Sequence, residues 1–518
     1  MSSLAPAATL AAQAPMTHRE VVRALSGLLL AMFVAMLSST VVSSALPVIV
    51  GDLGGTESGY TWVMVSTLLA LTATTPIWGK LADLVNKKVL LQVALVVFTA
   101  GSVLAGFATS MESLIAARVV QGVGVGGLTA LVQIVIASIV SPRERGRYAG
   151  YLGAVFAVAT VSGPLIGGLV VDTIGWRWCF GVSVPVAVAA FVVLQRTLHL
   201  RTVRREVRID YAGALLIAGG LSVLLAWVSL AGSSFGWASV QTAVMVPAGV
   251  GALLVAGYVE GRVAEPMIPL HLFRNRTISM AVLASLAIGV AMFGSTIFLT
   301  QYFQLAHGMS PTEAGLMTLP LVLGLLVTSI STGRLISRHG IWKRYLVGGA
   351  VLMVAGLALL ARLDETTPLT IAGLSMLVLG LGMGALQQNL VLAVQNSVPH
   401  SQVGAASSLV ATFRTMGGAV GVAVLGTALS HRVTDHVATG MAALGAPAQD
   451  GGHHEIPTLS ALPVPVREVF MHAFGEATGH VFLLAVPVAL VTLVAVLLIS
   501  EVPLRTTIQR DDELDEAA

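Results

Sequence analysis

Long runs of apolar residues recur along the whole chain, and short polar segments separate them. Fourteen of these runs reach about the 20 residues that an α-helix needs to cross the hydrocarbon core of a bilayer. The pattern therefore predicts an all-α integral membrane protein with 14 transmembrane helices. The predicted crossings are residues 24–48, 59–79, 89–109, 113–139, 148–171, 178–198, 211–231, 240–260, 278–303, 312–333, 344–361, 369–394, 405–429 and 480–500.

The composition agrees with this pattern and excludes other classes of protein. The 518 residues are 56% hydrophobic and 10% charged, whereas an ordinary soluble domain has about 25% charged residues. A soluble globular enzyme, a disordered chain, collagen and a coiled coil are therefore excluded. The single cysteine, Cys179, excludes an intrachain disulfide and a cysteine-rich metal site. Binding of nucleic acid is not expected, because the sequence has no basic patch interleaved with aromatic residues.

The placement of Lys and Arg predicts the orientation, because cytoplasmic loops carry an excess of these residues. If the N-terminus is cytoplasmic, 22 of the 28 basic residues lie in cytoplasmic segments and four lie outside. The remaining two, Arg118 and Arg414, fall within predicted helices. We therefore expect a multi-pass protein of the plasma (inner) membrane with both termini cytoplasmic and no cleavable signal peptide.

A sequence repeat indicates two related halves. The segment Gly79–Lys88 follows the second predicted helix, and a fainter copy of it begins 254 residues later at Gly333. Helices one to six would then correspond to helices nine to fourteen. The predicted organisation is a cytoplasmic segment 1–23, a six-helix bundle 24–200, two inserted helices in 201–262, a second six-helix bundle 263–502 and an acidic cytoplasmic tail 503–518.

The second bundle is expected to contain a long extracytoplasmic loop over residues 430–479. Half of the twelve histidines lie in this loop or at its end, namely His431, His436, His453, His454, His472 and His480. Clustered imidazoles allow a metal-sensing loop. The spacing matches no zinc motif, however, so the favoured interpretation is a solvated loop without a metal.

The segment Gly79–Lys88 is predicted to be a tight cytoplasmic turn whose charges have a function. Gly79 lets two helices approach closely, and Asp83 can face a helix N-terminus or a basic side chain. Lys87 and Lys88 can anchor the turn at the anionic inner leaflet. The alternative is a loop that only follows the charge rule for cytoplasmic segments.

The fourth predicted helix carries a buried-arginine motif. Arg118 is followed three residues later by Gln121 on the same helix face, and then by a glycine-rich run that ends at Gly127. A charge at the centre of a membrane helix costs about 2.5–3.5 kcal/mol on insertion scales. This arginine should therefore face a partner, a cavity or water, unless it snorkels to the outer surface.

The fifth predicted helix contains Ser-Gly-Pro-Leu-Ile-Gly-Gly at residues 162–168. Its small residues allow helices to pack backbone to backbone, and its proline bends the helix, so the segment can seal one side of a central cavity. The residues expected to do so are Gly163, Pro164, Gly167 and Gly168.

These three motifs together resemble the major facilitator superfamily, specifically its fourteen-helix drug:proton antiporters, and the resemblance covers nearly the whole chain. It implies two pseudo-symmetric six-helix bundles with two inserted helices, gating by the loop and fifth-helix motifs, and proton coupling through Arg118 and Gln121. The fifth-helix motif marks exporters in that family. Asn86 stands where the family usually has glycine, and asparagine tolerates the same left-handed backbone conformation.

The first predicted helix departs from the family pattern. Ser38 stands where relatives usually have an aspartate that shares protons with the fourth-helix arginine. No acidic residue falls securely in the middle of a predicted helix. Glu313, Asp52 and Glu57 are the best remaining candidates for proton coupling, although each is better explained as a helix cap or a charge at the membrane rim.

Polar and aromatic residues within the predicted helices are candidates for substrate contact, with interhelical hydrogen bonding as the alternative. They are Ser38, Thr40, Gln133, Phe298, Gln301, Tyr302, Gln304, Gln387, Gln388, Asn389, Gln395 and Arg414. Arg118 and Arg414 have no offsetting carboxylate nearby in the sequence. We therefore expect an electropositive cavity that prefers neutral, zwitterionic or anionic amphiphiles to small permanent cations.

The sequence thus predicts secondary active efflux of amphipathic small molecules, such as drugs, antibiotics or secreted metabolites, by alternating access and proton antiport. The protein is expected to be a monomer whose partners are its substrate, protons and membrane lipid. Because the sequence has no phosphate-binding loop, nucleotide hydrolysis is not expected. We expect no cofactor, with the proton gradient as the energy source. Two alternatives stay open. One is an uncoupled facilitator or exporter of lipid-like molecules with the same fold, and the other is a non-transporting membrane sensor that uses the outer loop. No constellation of nucleophile, base and oxyanion donors supports an enzyme.

Overall fold

A computed structural model describes residues 18–54, 57–198, 210–231, 235–263, 266, 270–399, 402–444 and 463–504. Over these residues the secondary structure is helical, apart from short connections and one isolated bridge between Ala231 and Phe235. The predicted all-α fold is confirmed.

The N-terminal half and the insertion contain nine helices among the described residues. They are α1 (His18–Asp52), α2 (Glu57–Leu84), α3 (Lys87–Gly106), α4 (Met111–Ile139), α5 (Pro142–Ile174), α6 (Arg177–Gly181), α7 (Ser183–Thr197), α8 (Tyr211–Leu230) and α9 (Val240–Glu260). The short α6 and α7 together form the sixth predicted crossing.

The C-terminal half begins with a 3₁₀ turn and contains a π-helical segment directly after its first long helix. Its elements are the 3₁₀ turn Leu270–Arg274, α10 (Arg276–Gln301), the π segment (Tyr302–Ala306), α11 (Pro311–Met317), α12 (Leu319–His339), α13 (Lys343–Leu360), α14 (Leu369–Asn396), α15 (Val403–Ala443) and α16 (Val464–Leu498).

Every predicted crossing contains a helix. Thirteen stretches of the described chain are long and apolar enough to span a membrane, and the shorter apolar helix Ala212–Val228, within α8, supplies the fourteenth. The helix count from the sequence therefore agrees closely with the structure.

The predicted loop over residues 430–479 is wrong in its secondary structure. Helix α15 continues to Ala443 and α16 already starts at Val464. At 1.5 Å per residue, their 41 and 35 residues measure about 62 and 52 Å, against a hydrocarbon core of about 30 Å. Both helices thus project beyond the membrane at the same end, as an antiparallel pair. The apolar pattern missed these extensions because they are polar; His453 and His454 lie outside the described residues.

Helix starts are set by side-chain caps, and one of them changes the interpretation of the loop motif. The side chain of Asn86 accepts a hydrogen bond from the backbone N–H of Lys88 (2.9 Å) and caps α3. Its backbone φ is −59°, so the predicted left-handed conformation is wrong. Asparagine serves here as a cap, for which it is among the preferred residues.

Glycine contacts reveal the repeat between the two halves. Gly122 of α4 lies so close to the carbonyl of Thr67 in α2 that a Cβ would be 2.5 Å from the oxygen. Gly380 of α14 meets the carbonyl of Leu321 in α12 in the same way. Thr67 and Leu321 are 254 residues apart, the spacing between the two copies of the loop motif, and Gly122 and Gly380 are 258 residues apart, so the offset between the halves is nearly constant.

The same correspondence extends to the next helix of each half. Gly124 of α4 packs against the backbone of Phe98 in α3, and Gly382 of α14 packs against the backbone of Met353 in α13. Because a Cβ at these positions would overlap backbone atoms, a larger residue would have to separate the helices at a cost of about 1–3 kcal/mol. The two halves thus use one packing scheme.

The halves meet along two seams, α2 with α15 and α5 with α12. The inserted helix α8 contacts both α2 and α15. Its buried residues Ile217 and Leu221 pack with Ala256 of α9, and Ile77 and Met416 cover this cluster from α2 and α15. The insertion therefore packs against both helices of the α2–α15 seam.

Candidate transport site

A buried polar cluster lies on α4 and joins it to α1 and α3. The Arg118 guanidinium donates a hydrogen bond to the side-chain oxygen of Gln121. The Gln121 amide nitrogen in turn donates to Ser38 Oγ at 2.9 Å and to Ser102 Oγ at 2.8 Å. All four side chains are buried. The structure thus brings together Arg118, Gln121 and Ser38, as the sequence predicted, and adds Ser102, which sequence reasoning missed.

The charge on Arg118 is surrounded by neutral acceptors. Its Nε donates to the backbone carbonyl of Val63 in α2 at 3.3 Å, and Thr67 Oγ1 donates to the Arg118 carbonyl at 3.3 Å. The residue lies seven positions into α4, about 10 Å below the outer end of that helix. Among the described residues, the Arg118 side chain forms no ion pair with a carboxylate. The cluster is therefore a buried positive charge, held in place by amide, hydroxyl and carbonyl groups.

The fifth-helix motif closes the contact between α1 and α5. Thr40 Oγ1 donates to the carbonyl of Ala159 at 3.1 Å, and a Cβ at Gly163 would overlap the Thr40 side chain. The Gly167 carbonyl accepts a weak hydrogen bond from Cys179 Sγ at 3.9 Å. A Cβ at Gly168 would meet no atom within 4 Å, so close packing explains only part of the motif.

Pro164 lies within α5, but its side chain is outside the described residues. The hydroxyl of Thr40 already bonds to backbone oxygens, so interhelical packing accounts for this residue as well as substrate contact does.

The loop motif forms a contact between the two halves. Asp83, near the end of α2, accepts hydrogen bonds from the backbone N–H groups of Gly404 (2.9 Å) and Ala405 (3.0 Å) at the start of α15. A carboxylate at this position is stabilised by the unpaired N–H groups and the positive end of the helix dipole. Of the two partners that the sequence left open for Asp83, a helix N-terminus or a basic side chain, these hydrogen bonds are to the helix N-terminus.

Gly79 and the two lysines support this contact to different degrees. A Cβ at Gly79 would come within 2.2 Å of Ser408 Oγ, so the glycine permits the close approach of α2 and α15. Lys87 lies close enough to Asp83 to interact with it electrostatically. Lys88 instead donates through Nζ to the carbonyl of Gln195 at 2.9 Å, and so ties α3 to α7 rather than joining the two halves.

A second contact between the halves involves Arg145 of α5, which sequence analysis counted only as a loop charge. Its Nε donates to the carbonyl of Val140 at 2.8 Å and its Nη1 donates to Gln395 Oε1 of α14 at 3.3 Å. The Gln395 amide nitrogen donates to Ser407 Oγ of α15 at 3.0 Å. Arg145 is buried. The only sequence signal was its position just before the predicted fifth crossing, 148–171; in the structure α5 already begins at Pro142.

The second seam is also tight at the end that the charge distribution predicts to be cytoplasmic. Gly150 of α5 packs against the backbone of Ile330 in α12, and Gly153 packs against the side chain of Ser329. Three of the predicted substrate residues, Gln133, Gln388 and Gln395, line a cavity of about 30 Å³ beside Arg145. That volume holds about one or two water molecules. The described residues of the two halves therefore pack closely around this small cavity, at the end predicted to be cytoplasmic.

Other predicted substrate residues lie elsewhere. Gln387 donates to Met292 Sδ at 3.5 Å, and Asn389 donates to Thr332 Oγ1 at 3.1 Å and to a backbone carbonyl of its own helix. The side chain of Phe298 is buried in the core of the C-terminal half. Arg414 is partly exposed, and its carbonyl packs against Gly289 of α10.

Three further candidates lie together at the outer end of α10. Tyr302 is fully buried, and its hydroxyl donates to the carbonyl of Asp364 at 2.7 Å. Gln301 and Gln304 flank it in the sequence and are partly exposed. This group lies in and beside the π segment, a geometry that frequently marks functional sites.

Two of the predicted proton carriers, Asp52 and Glu313, are exposed and lie at helix ends, without contact to Arg118. Asp52 forms an ion pair with Arg177 (3.2 Å) and accepts a hydrogen bond from Trp176 Nε1 (2.8 Å). The hydrogen bonds from Trp176 and Arg177 lower the pKa of Asp52. Glu313 is exposed and caps α11 by accepting from the N–H and hydroxyl of Ser310. The side chain of Glu57 is outside the described residues.

The fold and these contacts define a membrane transporter built from two equivalent bundles, and sequence comparison assigns its family. The model of the Major Facilitator Superfamily matches residues 28–422. The chain belongs to the major facilitator superfamily, as its motifs suggested.

Similar proteins include transporters and efflux pumps. The chain is 36% identical to the uncharacterized MFS-type transporter Rv1877 of Mycobacterium tuberculosis, over 95% of this chain and 71% of that protein. It is 35% identical to the multidrug transporter protein MdtP of Bacillus subtilis, over 79% of this chain and 75% of that protein. It is 32% identical to the efflux pump dotC of Dothistroma septosporum, over 93% of this chain and 84% of that protein.

Solved structures share the fold. The human organic anion transporter MFSD10 (TETRAN) matches with a TM-score of 0.60 and 13% identity, covering 90% of this chain and 99% of that chain. The proton:xylose symporter XylE matches with a TM-score of 0.57 and 15% identity, covering 91% and 95%. Membership of the family, together with the many apolar helices, makes the protein a multi-pass membrane transporter for small molecules.

Proposed function

We propose that the protein is a secondary active exporter of amphipathic small molecules that works by alternating access and proton antiport in the plasma membrane. The observation that carries the proposal is a pair of contacts that join the two halves on the cytoplasmic side, beneath the buried polar cluster on α4. Asp83 of α2 accepts hydrogen bonds from the start of α15, and Arg145 of α5 donates to Gln395 of α14. An exporter must open and close this side to take up its substrate from the cytoplasm. The similarity to the multidrug transporter protein MdtP and to the efflux pump dotC supports export as the direction of transport.

The substrate class follows from the charge of the cluster. Arg118 is buried and bonded to neutral acceptors. A permanent cation approaching it would be repelled in a medium where Coulomb interactions are stronger than in water. We therefore propose neutral, zwitterionic or anionic amphiphiles as substrates. We also propose that the protein is a monomer with both termini cytoplasmic.

The test is uptake into inside-out proteoliposomes with an acidic interior. A panel of matched neutral, anionic and cationic amphiphiles is offered, and accumulation is compared with and without a protonophore. Accumulation of the neutral and anionic members, lost with the protonophore, supports the proposal. Equal accumulation of a lipophilic cation contradicts the substrate class.

A second function is supported by one observation. Ser38 stands beside Gln121 where an acid would be expected in a proton-coupled relative. An uncoupled facilitator, or an exporter of lipid-like molecules, needs no such acid. Flux that equilibrates the substrate and ignores the pH gradient would favour this alternative. A non-transporting sensor would show no flux for any compound.

A further inference from the structure

Four titratable side chains come together at the outer end of the C-terminal half, and we name them the outer cluster: Glu365, His436, His472 and Glu476. His472 Nδ1 of α16 lies 2.6 Å from Glu365 Oε1, and its Nε2 lies 3.8 Å from Glu476 Oε2. His436 Nδ1 of α15 lies 3.2 Å from Glu476 Oε2. Carboxylates and imidazoles thus alternate in one connected chain.

From this chain we infer that the outer cluster is the external proton-binding site of the transporter, a role that rests on the proposed proton-coupled export. Imidazole is the side chain whose ordinary charge change falls between about pH 5 and 8. Each imidazole here lies against a carboxylate, so that taking up a proton creates an ion pair. Losing that proton leaves two carboxylates facing neutral rings.

The position of the cluster gives it access to the external solution. His436 and His472 lie in the parts of α15 and α16 that project beyond the membrane, and both side chains are at least partly exposed. One oxygen of Glu365, Oε2, is by contrast buried with no hydrogen-bond partner among the described residues. A buried carboxylate oxygen without a donor is costly, so this carboxylate gains from the proton that His472 shares with it.

The loop that carries Glu365 is held firmly against α16. Gly475 packs so closely on the backbone nitrogen of Glu365 that a Cβ would lie 2.5 Å from it, and Gly479 packs likewise on the carbonyl of Leu363. Asp364 stabilises the same loop by accepting from the hydroxyls of Thr366 and Thr367. Close backbone packing therefore fixes the position of this loop, and with it the position of Glu365.

A hydrogen-bonded path leads from this loop towards the other half. The carbonyl of Asp364 accepts from the hydroxyl of buried Tyr302 in the π segment, and that hydroxyl lies 2.9 Å from His307 Nε2. The π segment runs into α11, and α11 contacts α5 of the N-terminal half. Protonation of the outer cluster can therefore influence the outer contact between the halves.

The titratable groups near His472 come from α15, from the loop after α13 and from α16 itself. They are His436 of α15, Glu365 and Asp364 of the loop, and Glu476 of α16. Tyr302 and His307 lie on the far side of the loop, where Tyr302 donates to the Asp364 carbonyl. Arg432 bonds to His480, which lies about two turns further along α16 than His472. The immediate surroundings of His472 are therefore acidic or neutral, which suits a group that binds a proton.

The experiment varies external pH at constant internal pH and measures substrate flux in oriented proteoliposomes. The variants are H472Q, E365Q and the double variant H436Q/H472Q, and the control is H431Q, which removes an exposed histidine of α15 outside the cluster. Wild type and H431Q should share one pH profile. E365Q should move its midpoint to lower pH by about one unit, because the neighbouring negative charge is lost, and the double variant should lose the dependence between about pH 5 and 8.

Substrate counterflow at equal pH on both sides separates the possible failures. Counterflow that persists in every variant shows that the fold and the transport path are intact. The inference would be overturned if H472Q, E365Q and the double variant all followed the wild-type pH profile. The proposed export would still stand in that case. A wild-type flux that ignores external pH would also overturn the inference. Absence of wild-type counterflow would overturn the proposed function itself.

Discussion

Asp83 carries the contact that most directly ties the two halves together on the cytoplasmic side. Its carboxylate accepts two backbone hydrogen bonds, at 2.9 and 3.0 Å, from the first turn of α15. A hydrogen bond to a charged group contributes about 1.5–3 kcal/mol. The change Asp83→Asn keeps the shape of the side chain and one acceptor, but removes the charge and one of the two bonds.

We expect this change to destabilise the state closed to the cytoplasm by about 2 kcal/mol relative to the open state, which corresponds to a shift of about 30-fold in their ratio. The assay is a distance measurement between spin labels on V85C and I341C in a C179S background. Val85 and Ile341 are both exposed, next to the cytoplasmic ends of α2 and α12. The distance distribution should gain a longer component in the Asp83→Asn variant.

The matched control is Glu144→Gln, which removes one acidic charge at the same face. Glu144 is exposed, and among the described residues its carboxylate accepts one local hydrogen bond, from the hydroxyl of Ser141. Its distance distribution should match that of the wild type. If Asp83→Asn also leaves the distribution unchanged, the reasoning that the carboxylate holds α15 in place is refuted.

Further predictions concern the buried cluster, the second seam and the outer rim. Ser38→Asp places an acid beside Gln121 and near Arg118, and should allow accumulation of a lipophilic cation that the wild type excludes; unchanged selectivity in the uptake panel would contradict an electropositive site. Gly153→Val forces a side chain against Ser329, and should lower the melting temperature or open the cytoplasmic side, since overpacking costs about 1–3 kcal/mol; spin-label distances and thermal unfolding measure both. Asp52→Asn should leave the pH profile of flux near neutrality unchanged. In the wild type, the lowered pKa of Asp52 keeps this residue ionised near neutral pH, and its ion pair is lost only as the pH falls towards that pKa. A displaced profile for this variant would make Asp52 a proton carrier after all.

The sequence predicted those features that depend on local pattern. Apolar runs gave the crossings, and the 3.6-residue periodicity placed Gln121 on the same face as Arg118. The charge and glycine of the loop motif led to the contact of Asp83 with a helix N-terminus. The family itself followed from three short motifs.

Features that depend on packing between distant segments could not be predicted in this way. Arg145 reaches Gln395 only because α5 and α14 of different halves are packed together. The extensions of α15 and α16 contain no long apolar run, so the sequence pattern predicts a loop where the structure has two helices. The outer cluster likewise joins His472 to Glu365 across 107 residues, a pairing that no spacing rule for short motifs contains.

The central claim is that substrate export is coupled to proton entry, and substrate-driven proton movement tests it most directly. A substrate gradient is imposed on proteoliposomes that contain a trapped pH indicator, with no initial pH difference and with the membrane potential clamped. The account predicts that protons move against the direction of the substrate, and that Arg118→Ala abolishes this movement. Substrate that crosses without any change in internal pH would contradict proton antiport and leave a facilitator.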